Sequence, residues 1–170
     1  MLFFAYFLIF VSLLVIVFQD FKQRQISWFL IPAAFIGFIC KALLHSIPIV
    51  HTFLINTAFI LIQLVCLTLY FSLKNKKMLN IVDTYLGLGD VLFLIVICTV
   101  FSPVNFILFY LLSMIVTLTG VLIYNVVSTK KTNDIPLAGA MAGMLLILLI
   151  SKPGIDLYND AYFLNMLHIQ

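Results

Sequence analysis

The sequence contains no glutamate, a single tryptophan, three widely separated cysteines and three histidines, and only 9% of its 170 residues are charged. A soluble domain carries about 25% charged residues. With 65% of its residues hydrophobic, a chain of this size cannot hide its apolar surface in one water-bounded core. Soluble globular folds, disordered chains and nucleic-acid binders are excluded, the last despite a net charge of +3. Cys40, Cys66 and Cys98 lie far apart in apolar blocks without a CxxC pair, which argues against a disulfide framework or a zinc site and reads as small apolar packing residues.

What is present is apolar sequence in long blocks rather than strict alternation. The fold class is therefore all-α, a polytopic helical membrane protein and not a β-barrel. Six spans are expected, at residues 1–18, 28–44, 52–72, 85–101, 104–127 and 135–150, followed by an extracytoplasmic tail at 151–170. Each is long enough to cross, or nearly cross, a hydrocarbon core of about 30 Å. The whole chain, 1–170, reads as a single integral membrane domain. Span 1 has no basic residue ahead of it and no small-residue cleavage site behind it, so it reads as a retained helix.

Basic residues set the orientation. Lys22, Arg24, Lys74, Lys76, Lys77, Lys130 and Lys131 fall in the odd connections, while Lys41 and Lys152 fall elsewhere. The positive-inside rule places the odd connections in the cytoplasm and both termini outside. Asp20, Asp83, Asp90 and Asp134 are then at or near cytoplasmic span ends, and Asp156 and Asp160 outside. His45, His51 and His168 are outside too, so no cytoplasmic metal cluster can be built from histidines, and no metal or organic cofactor is implied.

Two aspartates stand in unusual company. Asp20 closes span 1 and opens Asp20-Phe21-Lys22-Gln23-Arg24-Gln25-Ile26-Ser27; Asp90 sits in Gly87-Leu88-Gly89-Asp90. Carboxylates in spanning segments are costly and mark functional sites. Two of them close together share one proton, which suits aspartyl proteolysis: the ionised partner deprotonates a water and the protonated partner hydrogen-bonds the scissile carbonyl. Gly87 and Gly89 read as substrate-binding, since a glycine-flanked backbone lets an extended substrate pair beside it. Read alone, Asp20 is as readily an interfacial charge paired with Lys22 or Arg24; for Asp90 the adjacent glycines and its depth favour catalysis over a helix N-terminal residue held by the dipole.

At these residues the sequence resembles the type IV prepilin peptidases, polytopic Gly-x-Gly-Asp aspartyl proteases of bacterial cytoplasmic membranes with archaeal relatives. The resemblance rests on Asp20-x-x-x-Arg24-x-Ile26-Ser27-x-x-Leu30, on Gly87-x-Gly89-Asp90, and on Ile135-Pro136-Leu137-Ala138-Gly139-Ala140-Met141-Ala142 as a proline- and glycine-containing start of a late span. It implies that Asp20 and Asp90 are the catalytic pair and that the substrates are prepilin-like proteins with a basic leader before an apolar helix. Two departures stand out. Leu92 occupies the place where the family commonly has lysine, and no paired CxxC motifs precede span 1, so peptidase without methyltransferase activity is expected. A broader intramembrane protease of the presenilin or signal-peptide-peptidase kind, and a non-catalytic assembly or transport subunit, are the alternatives.

Other features have plainer readings. Asp83 and Asp134 read as helix N-caps, and Lys74, Lys76 and Lys77 as topology determinants. Gly139-x-x-x-Gly143 and Ala138-x-x-x-Ala142 read as helix-packing faces. The phenylalanines read as lipid-facing bulk, Trp28 as an interfacial anchor, and the tail as an amphipathic segment along the outer interface.

Overall fold

Why the apolar blocks become helices follows from the solvent: in hydrocarbon every backbone N–H and C=O must be satisfied within the protein. A computed structural model describes residues 2–45, 47, 49–77, 86–127, 136–151 and 157–160. Among these the regular elements are six helices: α1 (Leu2–Gln23), α2 (Leu30–Leu44), α3 (Ile49–Asn75), α4 (Leu88–Ile97), α5 (Pro103–Val127) and α6 (Leu137–Ser151). Three of them, α1, α3 and α5, are long and apolar enough to cross a membrane; α2, α4 and α6 are shorter apolar helices. Asp83, Asp134, Asp156 and His168 lie outside the described residues, so their sequence readings are not addressed by the fold.

The centre of the bundle is α1, packed chiefly against α2 and α6. Its buried residues are Ala5, Ile9, the adjacent Ser12 and Leu13, Ile16 and Asp20, which recur every three or four positions along one face. Asp20 is thus the last member of the core stripe. The helix runs five residues past the expected end of span 1, which makes Asp20 a helical, inward-facing residue rather than the start of a loop. Gly37 of α2 lets the two backbones come close: a Cβ there would lie 2.8 Å from Ile9 Cγ1 and 3.5 Å from the Ala5 carbonyl.

Helix α4 has 10 residues, about 15 Å, and stops at Ile97 rather than continuing to Phe101. The chain then turns inside the bundle, with Cys98, Thr99, Val100 and Phe101 all buried. Backbone that leaves helical geometry there needs other partners. Asn56 of α3, 1% exposed, supplies them by donating from Nδ2 to the Cys98 and Phe101 carbonyls at 3.0 and 2.9 Å.

At the same end, Asn105 Nδ2 donates to the Leu157 and Asn159 carbonyls, the Ser102 amide donates to Leu157, and the Tyr158 hydroxyl donates to Thr99. Leu157 is 1% exposed. Within the stretch read as an interfacial tail, residues 157–159 are therefore tied into the bundle, because the carbonyls they present meet the Asn105 side chain of α5 and the Ser102 amide just before it.

Several phenylalanines are also core rather than lipid-facing. Phe38, Phe93, Phe101 and Phe106 are fully buried, and Phe101 stacks on Phe109 at 4.6 Å; Phe3, Phe4, Phe7, Phe18, Phe21 and Phe29 are exposed, as is Trp28. Cys98 is buried, while Cys40 and Cys66 are on the surface. Lys41 is buried, with its ammonium 5.4 Å from the centre of the Tyr6 ring.

Candidate active site

The site forms where α1 ends and α4 and α6 begin. Pro136 precedes α6 and Leu137 opens it, so the first-turn amides have no partner within the helix. Two consecutive ones are occupied by carboxylates. Ala138 N donates to Asp90 Oδ1 at 3.0 Å, and Gly139 N donates to Asp20 Oδ2 at 2.6 Å. One peptide unit, about 3.8 Å from Cα to Cα, separates the two donors. The carboxylates, 70 positions apart in sequence, are thereby gathered on one helix end, where the dipole favours negative charge.

Each aspartate arrives by a different route. Asp20 is carried by the buried stripe of α1 and is 5% exposed. Asp90 stands in the first turn of α4, half-buried. Gly87 caps that turn in an extended conformation (φ −68°, ψ 141°), and its carbonyl accepts the Asp90 and Val91 amides at 3.0 and 3.3 Å. The charge on Asp20 acts on Asp90, and that of Arg24 acts on Asp20.

The first motif acts as a strap. Arg24 takes a left-handed conformation (φ 55°) just past α1, and its amide donates to the Asp20 carbonyl at 3.1 Å. Gln19 Oε1 accepts the Ser27 amide at 2.9 Å, which folds the connection back beneath α1. Ile26 is then set against Gly89, where an added Cβ would meet its side chain at 3.4 to 3.6 Å.

The two glycines read as substrate-binding differ. A Cβ on Gly87 would lie 3.3 Å from Asp90 Oδ2, so Gly87 keeps space open beside the carboxylate; Gly89 faces Ile26 and packs. Leu92, where a lysine was noted as missing, packs against the apolar core. Among the described residues no three metal-ligating side chains gather; His45 and His51 lie at the end of α2 and the start of α3, away from the α1–α4–α6 junction.

Sequence reading missed Gln19, the Ala138 amide and the role of Gly139 beside Asp20. A signal existed: a proline at a helix start followed by small residues marks free amides that a side chain can approach closely.

Fold and site together define a polytopic helical membrane protein that brings two carboxylates to one helix N-terminus. Residues 7–123 match the model of the type IV leader peptidase family, and the chain belongs to that family of peptidases. The matched region contains both Asp20 and Asp90. Searches of curated proteins and of solved structures return no match.

Proposed function

We propose that the chain, as one domain over 1–170, is an aspartyl endopeptidase that removes the leader of prepilin-like proteins at the cytoplasmic face of the cell membrane, with both of its own termini outside. Asp20 and Asp90 are the catalytic pair in this reading. The observation that carries it is the capture of both carboxylates by adjacent α6 amides.

The chemistry follows from one oxygen of each carboxylate being held. Asp20 Oδ1 and Asp90 Oδ2, the oxygens that the α6 amides do not hold, face the water and the scissile carbonyl in this reading. With one proton on the pair, the ionised carboxylate takes a proton from the water as its oxygen bonds to the carbonyl carbon. The other carboxyl hydrogen-bonds the carbonyl oxygen as it gains charge. Collapse of the tetrahedral intermediate breaks the C–N bond, and the leaving nitrogen takes a proton from the pair, giving a free acid and a new amino terminus.

The substrate's apolar helix lies in the bilayer against the exposed helix faces and presents its leader junction at the rim. Positive-inside asymmetry supports the cytoplasmic placement. Gly87, beside Asp90 Oδ2, borders the substrate carbonyl; Gly89 shapes the same turn by packing on Ile26.

The test is cleavage of a substrate with a basic leader before an apolar segment, by the full chain in a bilayer. Asp20→Ala and Asp90→Ala should each abolish cleavage while the protein still inserts. Full activity in either variant ends the reading. Preferential cleavage of signal-peptide remnants would redirect the specificity toward the broader intramembrane proteases.

A further inference from the structure

Asp20 and Asp90 stand on different helices, and what they share is the first turn of α6. Of its two donor residues, Gly139 is the one whose chemistry cannot be exchanged. A Cβ added there would lie 2.8 Å from Asp20 Oδ2, 2.9 Å from Asp20 Cβ and 3.2 Å from Asp20 Cγ. The carboxylate oxygen could rotate away from such a group, but the Cβ could not, because it is bonded directly to the α1 backbone. Relief therefore requires α1 and α6 to separate, which lengthens the 2.6 Å bond from the Gly139 amide to Asp20.

We propose that Gly139 is a positioning residue of this peptidase, its missing side chain admitting the Asp20 carboxylate to the same helix end that holds Asp90. The proposal rests on the reading of Asp20 and Asp90 as the catalytic pair. It replaces the view of Gly139-x-x-x-Gly143 as a plain packing motif, since the two glycines are not equivalent. One turn further along, a Cβ on Gly143 would meet Val17 Cγ2 at 3.9 Å, an ordinary contact. The same substitution on the same helix and the same α1-facing side thus crowds a carboxylate at one position and nothing at the other.

The experiment compares Gly139→Ala with Gly143→Ala in the full chain, using the basic-leader substrate, with kcat, KM and the pH–rate profile measured for both. A misplacement of the order of 1 Å costs about a hundredfold in rate. Gly139→Ala should lose about that factor in kcat with KM little changed and with a displaced pH profile; Gly143→Ala should match the parent in all three. A Gly139→Ala enzyme with parental kcat and pH profile overturns the proposal, as does an equal loss in both variants.

Where Gly139→Ala lowers stability, the Asp20→Gly background separates the causes, because it removes the atoms that the new methyl would strike. In that background the alanine should cost no stability; a cost that persists means packing against something else, and the proposal falls. The underlying reading fails differently: active Asp20→Ala or Asp90→Ala enzymes remove the pair itself, whereas inactive aspartate variants beside a fully active Gly139→Ala remove this inference and leave the pair standing.

Discussion

Ile26 and Gly89 face one another with room for one methyl group between them, a Cβ at Gly89 falling 3.4 Å from Ile26 Cδ1. The contact joins the connection after α1 to the first turn of α4, so the two aspartate-bearing segments are locked to each other beside the carboxylates as well as through α6.

Gly89 should accordingly tolerate alanine and reject a large side chain. Gly89→Ala adds an ordinary contact in a helical position and should keep cleavage within about twofold, with up to about 1 kcal/mol gained in stability from the helix propensity. Gly89→Leu has no space against Ile26 and should reduce cleavage at least about tenfold. Cleavage kinetics and thermal melts of the purified variants check both.

Gly87 should behave oppositely. Its backbone is extended with φ −68°, a conformation open to any residue, so Gly87→Ala should fold normally. The added Cβ, 3.3 Å from Asp90 Oδ2, crowds that oxygen, and kcat/KM should fall about tenfold with the melting temperature unchanged.

The strap depends on Gln19. Gln19→Leu removes the acceptor of the Ser27 amide, a bond contributing about 1 kcal/mol. Hydrogen exchange at residues 24–29 should accelerate and cleavage should fall several-fold, while exchange in α5 stays as it was.

Asn56 is expected to matter for stability and not for chemistry. Asn56→Leu strips two buried carbonyls, Cys98 and Phe101, of their donor, at about 1–3 kcal/mol each. Unfolding in a denaturing detergent should occur at markedly lower concentration, with kcat per folded molecule unchanged, since the turn lies at the opposite end of α4 from Asp90.

A carboxyl pair that works with one shared proton requires a bell-shaped pH–rate profile. Activity falls on the acid side when the base carboxyl is protonated and on the alkaline side when the shared proton is lost. A profile with a single limb between the two extremes would show that one carboxyl acts alone.

Much of the architecture was legible because it follows from solvation. Long apolar runs can do little in a bilayer but become helices, and the residues that interrupt them, Asp20 and Asp90 among them, stand out against that background. What was not legible was the direction each helix faces. In α1 nearly every residue is apolar, so hydrophobic periodicity carries no information, and the stripe from Ala5 to Asp20 is chosen by packing against α2 and α6. The short span of α4 was hidden for a related reason: Cys98 to Phe101 are as apolar as a helix, and their departure from it depends on Asn56, forty-two positions away from Cys98.

By itself the sequence determined the membrane-helical class, the basic asymmetry of the connections and the two acidic motifs, because each of these depends on composition and on local order. Tertiary structure alone decided that the Ala138 and Gly139 amides receive the two carboxylates, that Gly87 borders Asp90 Oδ2 while Gly89 packs, and that residues 157–159 close the far end of the bundle. These are relations between segments tens of residues apart, set by how closely two backbones can approach, and no local pattern encodes that distance.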